Sequence, residues 1–162
     1  MIVSREDIND LFSMFHDFDI VNIKLEKEVL VITINTPFGE LWGVDEYILL
    51  VELTGCTGVT CEYLNKNGKL ETTCDCDKIS ALGLDIQSYQ YHPPRQYEFF
   101  CDGHNRYIES GQMRFDADTV GVFDRNHNQI TLDILKKLAT MRWESIQRMW
   151  DEQKTNNDAG GD

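Results

Sequence analysis

Residues 131–152 read TLDILKKLATMRWESIQRMWDE and decide the fold of the last part of the chain. Apolar side chains recur there every three or four residues, which is the spacing of one face of an α-helix. They are Leu132, Leu135, Ala139, Trp143, Ile146 and Trp150. Thr131 can cap the first turn. The stretch therefore predicts a long amphipathic helix, and we expect it to lie on a sheet and to bury both tryptophans.

Upstream of this helix the pattern changes to strands. Ser4, followed by Asp7, predicts an N-cap and a short helix over residues 4–15. Alternating or two-sided apolar segments then follow one another, separated by turn residues such as Asn67-Gly68. These segments cover residues 20–25, 29–34, 47–53, 57–64, 69–74, 82–91, 96–101, 106–115 and 119–123. A helix, about eight or nine consecutive strands and a second helix predict an α+β fold with a mostly antiparallel sheet.

The length of 162 residues suits one globular domain, which we place at residues 1–153. The polar, glycine-containing residues 154–162 are predicted to be a disordered tail. No apolar run approaches the roughly 20 residues that cross a bilayer, and no secretion signal is evident at the N-terminus. The five cysteines leave one unpaired in any disulfide scheme, which favours reduced thiols and a cytoplasmic location.

The charge is strongly negative, with a formal net charge of −13 at pH 7. Residues 1–60 carry 11 acidic and 3 basic side chains, a balance of −8. Such a field repels nucleic acid and attracts a basic protein surface. The sequence therefore favours a basic protein partner. The candidate partner-binding residues are Asp17, Asp19, Glu40, Asp45 and Glu46.

A second group of residues could hold zinc. Cys74 and Cys76 are two apart, so a strand would place both on one face, and Cys101 precedes His104 by three residues across an Asp-Gly turn. This set gives a competing hypothesis of a zinc- or thiol-dependent enzyme or a metal-stabilised domain. The usual catalytic motifs are missing from the sequence, so a non-catalytic protein without a cofactor is the main expectation.

The first 60 residues also show a resemblance. Phe15-His16-Asp17, the apolar segment 29–34, Leu41-Trp42-Gly43 and residues 51–56 (VELTGC) form a pattern of a helix, F-H-D and paired strands. This pattern is similar to small bacterial domains that include immunity proteins of toxin systems. The resemblance implies a non-catalytic inhibitor that binds one cognate toxin, and it assigns no site residue.

A third hypothesis concerns the apolar face of the last helix. Trp143, Ile146 and Trp150 could pack between copies of the chain, which would make the protein a structural subunit of an oligomer. The sequence does not determine the oligomeric state. It leaves three alternatives, namely a binding domain for a basic protein, a zinc- or thiol-dependent domain, and an oligomer subunit.

Overall fold

A computed structural model describes residues 1–42, 47–105 and 107–158. The chain forms three α-helices, nine β-strands and one 3₁₀ helix at Pro37–Trp42 among these residues. In chain order the elements are α1 (Arg5–Ser13), β1 (Phe18–Glu26), β2 (Val29–Asn35), the 3₁₀ helix, β3 (Ile48–Thr54), β4 (Val59–Asn65), β5 (Leu70–Thr73), α2 (Cys76–Ser80), β6 (Leu84–His92), β7 (Gln96–Gly103), β8 (Ile108–Asp116), β9 (Thr119–Asp124) and α3 (Leu132–Asp158).

The strands form one sheet in the order β5-β4-β8-β7-β6-β1-β2-β3-β9. Every paired neighbour is antiparallel. The predicted α+β class, with a short N-terminal helix and a long C-terminal helix, is confirmed. Lys27 and Glu28 form the turn between β1 and β2, and both residues have positive φ, as a tight hairpin turn requires.

The sheet is strongly curled, because a flat one could not be connected. Five strands separate β8 from β9 in the sheet, so the two would lie about 29 Å apart if it were flat. Asp116 and Thr119, where one strand ends and the other begins, are joined by only two residues, which span about 11 Å at most. Strands β8 and β9 must therefore approach each other at this connection.

Arg95 stabilises the connection between β8 and β9. Its Nη1 donates to both carboxylate oxygens of Asp118 at 2.9 Å, and its Nη2 donates to the carbonyl oxygen of Gly55 at 2.6 Å. Gly55 follows β3, and Asp118 lies in the connection between β8 and β9. The Arg95 side chain thus links the β8–β9 connection to the residue that follows β3.

The sheet has one narrow joint, between β1 and β6. These strands pair only at Phe18 with Ile86 and at Asp19 with Asp85. By contrast, seven residue pairs join β1 to β2 and eight join β6 to β7. The sheet therefore consists of two well-paired halves, β5-β4-β8-β7-β6 and β1-β2-β3-β9, that meet over two residue pairs.

Helix α1 contributes the ring of Phe12 to an aromatic core formed with strands β7 and β8. Its N-cap is confirmed, because the Ser4 hydroxyl accepts a hydrogen bond from the Asp7 backbone N–H at 3.0 Å. Phe12, only 2% exposed, lies edge-on to Tyr97 and Phe99 at ring-centroid distances of 5.1 Å. Aromatic pairs in this geometry add to the free energy gained from burial. Helix α1 therefore anchors the N-terminus to the half of the sheet that contains β7.

Helix α3 packs only through its first half, so the prediction that it buries both tryptophans was wrong. Leu135 and Leu138 belong to the core, at 1% and 8% exposed. Trp143 and Trp150 are 61% and 51% exposed. The helix packs mainly against the 3₁₀ helix and α1, and its second half extends beyond them. The apolar stripe therefore continues past the surface that covers it.

The far end of α3 differs from the expected boundary as well. The helix runs to Asp158, so residues 154–158, which we predicted to lie in a disordered tail, have helical backbone. Residues 159–162 lie outside the described residues, and for them the tail stays a prediction. None of the described helices has both the length and the apolar character needed to cross a membrane.

Substituting Phe12 tests the proposed core. We expect Phe12→Ala to lower the free energy of unfolding by about 3–5 kcal/mol, because it removes a buried ring that several aromatic neighbours enclose. Trp143→Ala removes a larger side chain but should change stability by no more than about 0.5 kcal/mol, since that ring is mostly in solvent. Urea denaturation measures both. A loss from Trp143→Ala equal to that from Phe12→Ala would contradict the packing described for α3.

Candidate functional site

Three of the predicted partner-binding carboxylates line one cleft. Asp17, Asp19 and Glu40 come from the turn between α1 and β1, from β1 and from the 3₁₀ helix, and they surround a space of about 320 Å³. Asp45 and Glu46 lie outside the described residues. The remaining lining residues are Asn35, Thr36, Pro37, Gly39, Asp85, His104 and Arg142. We call this the acidic cleft.

The cleft lies at the narrow joint of the sheet. Asp19 of β1 and Asp85 of β6 are direct cross-strand partners, and Asp85 is also the partner of Asp102 on β7. Three aspartates therefore occupy one row across three neighbouring strands. Like charges directly opposite each other destabilise a sheet. The structure thus concentrates negative charge where the two halves of the sheet are least well paired.

His104 reaches this row from the loop after β7. Its Nε2 lies 3.0 Å from Asp85 Oδ2 and 3.5 Å from Asp19 Oδ1. The loop is held by Asn105, whose amide donates to the Leu82 carbonyl at 2.9 Å and whose oxygen accepts from the Ile108 backbone N–H at 3.0 Å. Asn105 thus holds the loop that places the imidazole beside the two carboxylates.

Asp85 is the most buried charged group of the cleft, at 8% exposed. Burial raises the pKa of its carboxyl group, the hydrogen bond with His104 opposes that rise, and nearby Asp19 adds to it. The same hydrogen bond raises the pKa of His104. Asp85 Oδ2 also accepts from the Gln87 amide at 2.9 Å, whereas Oδ1 has no hydrogen-bond partner among the described residues. The cleft therefore contains a buried carboxylate oxygen without a hydrogen-bond partner among the described residues.

Arg142 of α3 supplies the guanidinium of the cleft. Its Nη2 lies 3.5 Å from Asp17 Oδ2, and its Nε lies 3.7 Å from Glu40 Oε2. The Nε is buried and has no hydrogen-bond partner within the described part of the chain. Among the described lining residues, four carboxylates surround one guanidinium and one imidazole. The cleft thus carries an excess of negative charge.

An apolar groove adjoins the cleft and shares Asp17 and Arg142 with it. Trp143 and Trp150 lie on α3 with their ring centroids 6.2 Å apart, at an interplanar angle of 75°. The other lining residues are Met14, His16, Phe18, Phe38, Ala139 and Ile146. We call this the tryptophan groove. The exposed part of α3 therefore lies next to the acidic cleft.

The candidate zinc residues are not brought together as a group. Residue 74 follows the end of β5 and Cys76 begins α2, so the expectation that one strand places both cysteines on the same face was wrong. Cys101 is buried in β7 at 3% exposed. Among the described residues, the three ligand atoms that lie within 4.8 Å of one another belong to Asp19, Asp85 and His104. His104 thus has carboxylates beside it rather than thiols.

Sequence reasoning missed Asp85 and Arg142. Asp85 stands between Leu84 and Ile86, which are both buried, so a charged residue inside an apolar strand segment was a usable signal. Arg142 precedes Trp143 within the stripe of α3, and its charge could have been noted there. The approach of Asp85 to Asp19, which is 66 positions away along the chain, has no local signal in the sequence.

Comparisons with protein families, with curated proteins and with solved structures find no match to this chain. The resemblance of the first 60 residues to immunity-protein-like domains therefore stays a prediction. What the chain binds has to be inferred from the acidic cleft and the tryptophan groove, whose residues come from distant parts of the sequence.

The cysteines give a chemical test of the thiol-dependent alternative. Burial raises the pKa of the Cys61 thiol to about 12 and also raises the pKa of Cys101, so neither forms a thiolate readily at neutral pH. Cys74 is exposed. We expect Ellman's reagent to react fast with Cys74 in the folded protein and with the buried thiols only after unfolding. Cys74→Ser should abolish the fast phase, whereas Cys101→Ser should leave it. Cys76 is half-buried, and burial raises the pKa of its thiol, so it should react more slowly than Cys74. A fast phase that survives in the Cys74→Ser, Cys76→Ser double variant would indicate a reactive buried thiol and contradict this assignment.

Proposed function

We propose that the chain is a non-catalytic binding domain for a basic protein, which it contacts through the acidic cleft and the adjoining tryptophan groove. The observation that carries this proposal is the position of Asp17 at the border of both features. A surface that combines excess negative charge with exposed aromatic rings suits a partner that presents basic and apolar side chains side by side.

The charge of the cleft supports a basic partner. The carboxylates of Asp17, Asp19 and Glu40 are 43%, 52% and 65% exposed, so incoming cationic side chains can reach them. The net charge of −13 adds a long-range field that speeds the approach of a basic protein at low salt. Arginine fits such a site well, because its planar guanidinium binds carboxylates with two parallel hydrogen bonds.

The exposed tryptophans support a protein partner rather than a small cation. Trp and Arg are enriched among the residues that dominate binding free energy in interfaces. Trp143 and Trp150 contact each other but leave more than half of each side chain in solvent. Covering them with a partner would remove apolar area from water, which stabilises the complex. The groove therefore provides apolar contacts beside the charged ones.

An immunity-type inhibitor of a cognate toxin is the specific form of this function that the resemblance implies. Such a role needs a preformed surface and no chemistry of its own. The thiol-dependent alternative has less support. Cys61 and Cys101 are buried, and burial raises the pKa of both thiols, which disfavours the reactive thiolate. The oligomer alternative uses the same tryptophans, and the experiment below separates it from the proposal.

A photo-crosslinking experiment tests the proposal directly. A photoreactive phenylalanine derivative replaces Trp143 in one variant and Leu70, which is 59% exposed on the edge strand β5, in the control. Both are expressed in the cells that make the chain. We expect a crosslink to a basic protein from position 143 and not from position 70. A crosslink to a second copy of the chain would support the oligomer instead, and equal yields from both positions would contradict the proposed surface.

Charge reversal then tests the cleft with the purified partner. We expect Glu40→Lys to weaken binding by about tenfold or more, and we expect added salt to weaken the unmodified complex. Glu109→Lys on β8 makes the same charge change at an exposed site outside the cleft and should have little effect. Titration calorimetry measures all three. Equal effects of the two reversals would mean that only net charge matters and that the cleft is not the contact.

A further inference from the structure

We propose that Asp19, Asp85 and His104 form a binding site for one divalent transition-metal cation of the zinc class. Their ligand atoms all lie within 4.8 Å of one another. Zinc binds carboxylate oxygen and imidazole nitrogen at about 2.0–2.2 Å, so two ligands of a tetrahedral ion lie about 3.4 Å apart. The separations from His104 Nε2, 3.0 Å to Asp85 and 3.5 Å to Asp19, match that spacing.

The free oxygen of Asp85 is an independent indication of a ligand. Asp85 is 8% exposed, and its Oδ1 has no hydrogen-bond partner among the described residues. A buried polar atom without a partner destabilises a fold, and native structures keep few of them. The Asp85 carboxylate lines the cleft, so an ion held there can be reached from solvent. A bound cation would give Oδ1 the partner that the described residues do not supply.

The register of the sheet gives a second reason to expect a cation. Asp19 and Asp85 face each other in one of only two residue pairs that join the two halves of the sheet. Repulsion between them acts at this narrow joint. A divalent ion bound by both carboxylates would convert that repulsion into a link between β1 and β6. We therefore expect the metal to stabilise the folded state as well as to bind it.

The donor set selects the class of metal. One imidazole and two carboxylates suit zinc, cobalt, nickel or manganese, whereas calcium and magnesium prefer oxygen ligands alone. Three protein ligands leave at least one coordination position open to water or to a donor from another molecule. Arg142 is the opposing charge in the cleft, and it contacts Asp17 and Glu40, neither of which belongs to the proposed ligand set. The proposed site also excludes the thiols that the sequence suggested as zinc ligands.

Cobalt(II) is the probe for the test, because its visible absorption reports coordination and thiolate ligands add a separate charge-transfer band in the near ultraviolet. We expect the purified full chain to bind one equivalent with visible bands and without the thiolate band. His104→Gln and Asp85→Asn should each weaken binding by at least about tenfold. His127→Gln and Cys74→Ser are the matched controls, since both residues are exposed and lie outside the site, and they should bind as the unmodified chain does.

Each result decides the proposal. Absence of one-equivalent cobalt binding at millimolar metal overturns it, as does binding that is unchanged in His104→Gln. A thiolate band that Cys74→Ser removes would return the metal to the cysteines and overturn it as well. His104 is exposed on a loop, so its variant stays informative even if Asp85→Asn fails to fold. In a melting experiment zinc should raise the Tm of the unmodified chain and not that of His104→Gln. No partner protein is involved, so the outcome does not depend on the proposed function.

Discussion

The pairing of β1 with β6 is the constraint on which the rest of the structure depends. Two residue pairs join the halves of the nine-stranded sheet there, and the short connection between β8 and β9 brings these two strands close together. The sheet therefore curls around an aromatic core to which α1 contributes Phe12. The same joint places Asp19 against Asp85, so the weakest seam of the sheet and the most buried carboxylate of the cleft coincide. The pairing of β1 with β6 therefore determines both how the sheet is joined and where the candidate site lies.

The second half of α3 extends beyond the elements that cover its first half and provides the exposed tryptophans of the tryptophan groove. Its first half is held in the core by Leu135 and Leu138, and Arg142 reaches into the acidic cleft one turn further along. Beyond that point the 3₁₀ helix and α1 no longer cover the helix, and Trp143 and Trp150 remain exposed. Apolar side chains left in solvent beside concentrated charge are typical of a surface that a partner covers. The proposed function follows from this juxtaposition, and the proposed metal site concerns the floor of the same cleft.

Much of the fold could be predicted from interactions between residues that are close together in the sequence. The two-sided apolar segment of β2, the Asn-Gly turn before β5 and the Ser4 cap of α1 each depend on a few neighbouring residues and could be predicted from the sequence. Helix α2 was missed because five residues are too few to show a periodic pattern. The exposure of Trp143 could not be predicted. An amphipathic stripe shows which face of a helix is apolar but not how much of that face other elements cover. The charge count did select Asp17, Asp19 and Glu40. Asp85 and His104 join them only through the register of the sheet, which depends on long-range contacts.

The claim that Trp143 is exposed beside an acidic cleft is tested most directly by ionic quenching of its fluorescence. The measurement uses a variant that carries Trp42→Phe and Trp150→Phe. An exposed indole beside an acidic cleft should be quenched more by the cation Cs⁺ than by the anion I⁻, relative to free tryptophan amide. We expect Glu40→Lys to remove most of this preference and Glu109→Lys, which changes the net charge equally, to retain it. Weak quenching by both ions would show that the ring is buried. An equal preference in both charge-reversal variants would show that no local cleft field exists, and either result would contradict the account.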